Sequence, residues 1–116
     1  MTTSDPAACI QCGLCNAIDP LHTAVRKETG STRNKLVLAK ARKTSPLFYL
    51  STDATAQEAV CPAHINITEV LRSMREQCVN EGVTTSANEE MAANFRRTGF
   101  PYPDMKREDW HDKPVW

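Results

Sequence analysis

No run of apolar residues in this 116-residue chain approaches the roughly 18 needed to span a bilayer, so no membrane helix is expected. Charge of one sign is missing too. Lysine plus arginine numbers 14 and aspartate plus glutamate 14, which leaves no net field to gather nucleic acid, anionic lipid or an acidic substrate. The four glycines are scattered, so there is no phosphate-cradling loop, and no nucleophile–base signature stands out. A free-standing enzyme is therefore not indicated, and no catalytic residue is assigned. No segment alternates apolar and polar residues long enough to predict a sheet. The opening Met1-Thr2-Thr3-Ser4-Asp5 lacks the charged and apolar regions of a signal peptide, and a cytoplasmic location is expected.

What the chain does have is cysteine in an unusual arrangement. There are five, an odd number, and Cys9, Cys12 and Cys15 fall within one short loop sequence, Cys9-Ile10-Gln11-Cys12-Gly13-Leu14-Cys15. That crowding suits a metal site better than a disulfide framework. An iron–sulfur cubane needs one thiolate per iron, and C-x2-C-x2-C allows one loop to supply three. In two-cluster ferredoxins the motif continues as C-x2-C-x2-C-x3-C-P, and the last cysteine crosses over to the other cluster. Here Asp19-Pro20 stands where the fourth cysteine of the first motif would be. Counting back from Cys61-Pro62, the other positions of a second motif hold Ser51, Ala54 and Gln57. The crossing rule then collects Cys9, Cys12, Cys15 and Cys61 as the ligands of one complete [4Fe–4S] site. It collects Asp19, Ser51, Ala54 and Gln57 as one dismantled site.

Zinc is the rival occupant, although structural zinc sites usually take ligands as two separated pairs. Cys78 falls on the apolar face of a helix and reads as a small buried hydrophobe. Asp19 reads as a surface carboxylate or a helix cap, and His22 and His64 as locally hydrogen-bonded side chains. Arg26, Lys27, Arg33, Lys35, Lys40, Arg42 and Lys43 read as a solvated basic face.

Four helices are predicted. Residues 34–43 form one, with basic residues near its end and a stop at Ser45-Pro46. A brief one covers residues 53–60, up to Cys61-Pro62. Asn66-Ile67-Thr68-Glu69 resembles a capping box, and Ile67, Val70, Leu71, Met74 and Cys78 follow at helical spacing up to Gly82. Ser86-Ala87-Asn88-Glu89 repeats the signature before a helix that Gly99 stops. The class is all-α, with irregular loops around the cluster. Residues 1–99 are expected to form the domain. Residues 100–116, with Pro101, Pro103, Pro114, Tyr102, Trp110 and Trp116, are expected to form an extended aromatic arm for docking.

From Cys9 to about Tyr102 the chain resembles the iron–sulfur module of the C-type subunits of heterodisulfide reductase. It also looks like the amino-terminal part of lactate-utilisation and glycolate-oxidase iron–sulfur proteins. The words that carry the likeness are Cys-Ile-Gln-Cys-Gly-Leu-Cys, Glu28-Thr29-Gly30-Ser31, Leu47-Phe48-Tyr49-Leu50, Val60-Cys61-Pro62, and Ala87-Asn88-Glu89-Glu90-Met91 through Arg97-Thr98-Gly99. The resemblance implies an α-helical ferredoxin-like fold that usually holds two clusters. It also implies partners: a cysteine-rich catalytic subunit, a flavin-containing subunit, or both. An electron-transfer subunit with a single [4Fe–4S] cluster is the expected function. The alternative is a degenerate ferredoxin module kept as a structural or interaction subunit.

Overall fold

Short polar side chains open most of the helical elements, by accepting hydrogen bonds from backbone N–H groups that the first turn leaves unpaired. The computed structural model describes residues 2–102. It holds six α-helices in chain order: α1 (Leu14–Ala17), α2 (Pro20–Val25), α3 (Thr32–Lys40), α4 (Ala56–Ala59), α5 (Ile67–Asn80) and α6 (Ser86–Thr98). Among the described residues a 3₁₀ turn at Pro6–Ala8 precedes α1, and two more, at Glu28–Gly30 and Pro46–Tyr49, lie before α3 and α4. No strand occurs among the described residues, only a single parallel bridge between Thr3 and Ile65. The protein is all-α, and no helix among these residues is long and apolar enough to cross a membrane.

The caps explain where elements begin. Asp5, Asp19, Ser31, Ser45, Asn66 and Thr85 each accept from a backbone N–H two or three residues on. Asn66 Oδ1 accepts from Glu69 N–H at 3.0 Å, as its capping signature predicts. For α6 the cap is Thr85 rather than Ser86, one residue earlier than expected, with Asn88 N–H as donor at 3.3 Å. The basic helix also differs. α3 starts at Thr32 behind Ser31 and stops at Lys40, before the proline that was expected to end it. Its stop is a paired turn: Arg42, left-handed at φ +53°, donates to Ala39 O while Lys43 donates to Leu38 O at 2.9 Å. Gly82 at φ +74° closes α5 in the same manner, with Val83 donating to Cys78 O at 2.8 Å. α1 and α2 were not foreseen, being too short to show periodicity.

By contacts the chain divides into two units, Met1–Val83 and Thr84–Trp116. In the first, α3 and α5 pack together and bury Leu36 and Ala39 against Val70, Leu71, Met74 and Cys78, with Phe48, Ile65 and Ile67 closing the core. Tyr49 Oη donates to Val83 O at 2.8 Å and ties the end of α5 back to the turn before α4. In the second unit, α6 ends at Gly99, and Asn94 donates to Pro101 O at 3.3 Å. Of the expected aromatic arm, residues 103–116 lie outside the described residues.

Candidate metal centre

The loop of residues 9–15 is coiled by two left-handed residues, Gln11 at φ +60° and Gly13 at φ +80°. Asp5 anchors its approach by accepting from Ala7 N–H at 2.9 Å, and Cys9 N–H donates to Pro6 O. Gln11 N–H reaches back to Cys9 Sγ at 3.4 Å, so the coil points one backbone donor at the first sulfur of the motif. The Gly13 carbonyl accepts from Asn16 N–H at 3.0 Å and opens α1. Only a residue at ease with positive φ fits at Gly13, and a Cβ there would lie 3.0 Å from Arg33 Nη1.

Cys61 arrives from far along the chain because two backbone hydrogen bonds lay the amino-terminal segment beside residues 64–66. Thr3 N–H donates to His64 O at 2.9 Å, and Asn66 N–H to Thr3 O at 2.7 Å. α4 ends just before Cys61, whose own N–H donates to Glu58 O. His64, left-handed at φ +50°, then donates to Cys61 O at 3.0 Å and turns the chain toward α5. Glu58 Oε1 accepts from Thr68 N–H and holds the start of α5 against α4.

The result is one recess, with about 340 Å³ of non-protein space, part of it open to solvent. Cys9, Cys12, Cys15 and Cys61 all line it, over Leu36, Ala63, Pro62 and Ile67. All four sequence-predicted site residues therefore border this one recess. Cys15 is buried, Cys9 and Cys61 are half-buried, and Cys12 is exposed at the rim. Among the described residues no three His, Cys, Asp or Glu side chains are grouped so that they could hold a metal ion.

Electrostatics agree with thiols facing a common space. Burial pushes the Cys15 thiol up to about 11, and the neighbouring Cys9, Cys12 and Cys61 add to the rise. Ionising all four together would be opposed unless positive charge sat between them, which is what a metal centre supplies. Four soft sulfur donors in one concavity fit an iron–sulfur group in chemistry.

The other quartet is also drawn inward, but into hydrogen bonds. Asp19 is buried: Oδ1 accepts from Leu21 N–H at 3.0 Å, and Oδ2 from Thr32 N–H at 3.0 Å and Thr32 Oγ1 at 2.7 Å. Gln57, buried as well, donates through Nε2 to Thr32 Oγ1 at 3.0 Å. Ser51 donates to Asp53 Oδ1, and Arg75 grips both Asp53 oxygens at 2.7–2.8 Å. Ala54 O receives Gln57 N–H. Lys35, 1% exposed, donates to Leu50 O; burial lowers its affinity for a proton, and the nearby Asp19 and Asp53 partly offset this.

Lys35 and Arg33 read as parts of a solvated face; Lys35 is instead buried, whereas Arg33 keeps its side chain 38% exposed and also borders the cysteine recess. Helical periodicity carried a usable signal for Lys35, which shares a turn with Leu36 and Ala39. Cys78 is fully buried, as predicted. His22 Nδ1 is buried with no partner among the described residues, against the expectation of a local hydrogen bond.

No protein-family model matches the chain. Among curated proteins, it is 26% identical over 98 residues to a C-type iron–sulfur subunit of the CoB–CoM heterodisulfide reductase of Methanocaldococcus jannaschii. The match covers 83% of this chain and 52% of that protein, so the chain spans about half the length of the curated relative it matches.

Proposed function

We propose that the chain is an electron-transfer subunit that holds a single [4Fe–4S] cluster on Cys9, Cys12, Cys15 and Cys61, within a heterodisulfide reductase-like complex. The observation that carries this reading is the convergence of three loop thiols and one distant thiol on a single recess. The ligand pattern favours a cage over zinc: structural zinc sites usually take their ligands as two separated pairs, whereas three of these thiols lie on one loop and the fourth is distant in sequence. The relative named an iron–sulfur subunit of heterodisulfide reductase points to the same cofactor class.

Such a cluster accepts and returns one electron at a time. This chain's residues hold it, bury its Cys15 side and leave the Cys12 side at the surface, the route by which an electron would enter or leave. The fold is read as α-helical ferredoxin-like, related also to lactate-utilisation and glycolate-oxidase iron–sulfur proteins. The second cluster site is read as lost, since Asp19, Ser51, Ala54 and Gln57 carry no thiol and two of them are committed to buried hydrogen bonds. Residues 1–99 are taken as the working domain and residues 100–116 as a docking arm. A cysteine-rich catalytic subunit, a flavin-containing subunit, or both, are the proposed partners, in the cytoplasm.

The test is the iron and acid-labile sulfide content of anaerobically purified full-length protein, with an EPR spectrum after dithionite reduction. About four irons and four sulfides per chain with a reduced-cluster signal are expected. About eight of each would restore a second cluster, and zinc or no metal would make the chain an interaction subunit.

A further inference from the structure

Arg33 stands apart from the other basic residues of α3. It lines the cysteine recess, and its guanidinium lies over Gly13, the one position in the cysteine loop without a Cβ. Nε donates to Glu28 Oε1 at 2.7 Å, which holds the long side chain in a single direction. Glu28 is itself placed by Ser31 Oγ at 3.1 Å and by Asn16 Nδ2 at 3.3 Å. Asn16 Oδ1 accepts in turn from Arg33 N–H at 3.1 Å, so the residue after Cys15 grips both ends of the assembly. The cation, bonded to Glu28, lies beside Gly13 in the loop that carries three of the four thiols, and the thiols whose charge acts on it are Cys15 and Cys12.

An iron–sulfur cluster with four thiolates is negative, and becomes more so when it takes an electron. A fixed cation at its edge therefore favours the reduced form, because net charge and local field are among the quantities that set such potentials. Glu28 opposes this, holding the guanidinium while cancelling part of its field. We infer that Arg33 is a positioning residue of the cysteine site that raises the reduction potential of the bound cluster, with Glu28 fixing and attenuating it. This rests on the reading that the four cysteines hold a [4Fe–4S] cluster.

Two variants of Arg33 and one of Glu28 test it in the anaerobic full-length protein. Midpoint potentials are read by EPR-monitored titration, and iron content is measured in parallel. Arg33→Gln is expected to shift the potential negative, Arg33→Lys to stay near wild type, and Glu28→Gln to shift it positive. A merely structural role would not give opposite signs for two partners of one ion pair. The differences should shrink as added salt shortens the screening length from about 30 Å at 0.01 M to about 3 Å at 1 M. Coincident potentials in iron-replete proteins overturn the role of Arg33 and leave the cluster reading standing. Wild-type protein without iron overturns both. Should Arg33→Gln shed its iron, Glu28→Gln decides: a positive shift supports the inference, and no shift overturns it.

Discussion

Two sets of four positions, related by one spacing rule, end differently in this molecule. Cys9, Cys12, Cys15 and Cys61 surround a recess that no protein group fills. Among Asp19, Ser51, Ala54 and Gln57, the two that are buried fill their surroundings themselves. Asp19 and Gln57 meet on the hydroxyl of Thr32, while Ser51 joins the Asp53–Arg75 pair. The contrast lies in what each side chain can satisfy alone. A thiol is a weak hydrogen-bond partner and can stand at a recess without one, whereas a carboxylate or amide, once buried, must find partners at once. Buried polar residues such as Asp19 and Gln57 build connections that any group entering their space would have to break. Lys35 completes this filled region with a buried charge donating to Leu50 O.

The largest expected break in the comparison is on the thiol side. Cys61→Ser removes the one proposed ligand that comes from outside the loop, and on the proposed reading iron and sulfide should fall from about four each per chain toward zero. Loss of the cluster's visible absorption and of the reduced EPR signal measures this directly. A cluster retained in full would remove Cys61 from the site.

On the polar side the largest effect belongs to Asp19, which opens α2 and also receives both donors of Thr32 at the head of α3. Asp19→Ala should cost about 2–4 kcal/mol, combining a lost helix cap with buried donors left unpaired. Urea unfolding of the variant against wild type measures it. A loss within about 0.5 kcal/mol would mean that the network does not hold these helices.

The smallest effect sharpens the comparison through pH. Burial lowers the proton affinity of Lys35 in the folded chain. Between that lowered value and the ordinary lysine value of about 10.4, the unfolded chain binds more protons than the native one, so stability rises with pH. Lys35→Met lacks this contribution. Wild-type minus variant stability should climb with pH inside that window, by at most about 1.4 kcal/mol per unit, and be flat below it. Unfolding curves at several pH values provide the check, and parallel curves would place the Lys35 ammonium in water.

Much of this was legible before any coordinates. Asn66-Ile67-Thr68-Glu69 announced the start of α5, and the apolar positions 67, 70, 71, 74 and 78 announced its buried face, because both signals are local to one helix. Gly82 and Gly99 announced two ends for the same reason. α1 and α2, at four and six residues, show no apolar face; only the cap reading of Asp19 before Pro20 marked the start of α2, and Asn16, Asp19 and Thr32 hold the pair. The end of α3 at Lys40 was hidden because Arg42 takes a left-handed turn that glycine usually marks.

By itself the sequence determined an all-α chain, the helices long enough to show a face, and a roster of four cysteines that spacing could group. Tertiary structure alone decided that those thiols share one recess, that Asp19 is buried between two helix starts, that Lys35 leaves the solvated face and that Arg33 borders the recess. The physical reason is range. Caps and periodicity act within a few residues, whereas the direction of a long charged side chain depends on which carboxylate or carbonyl a distant segment brings beside it.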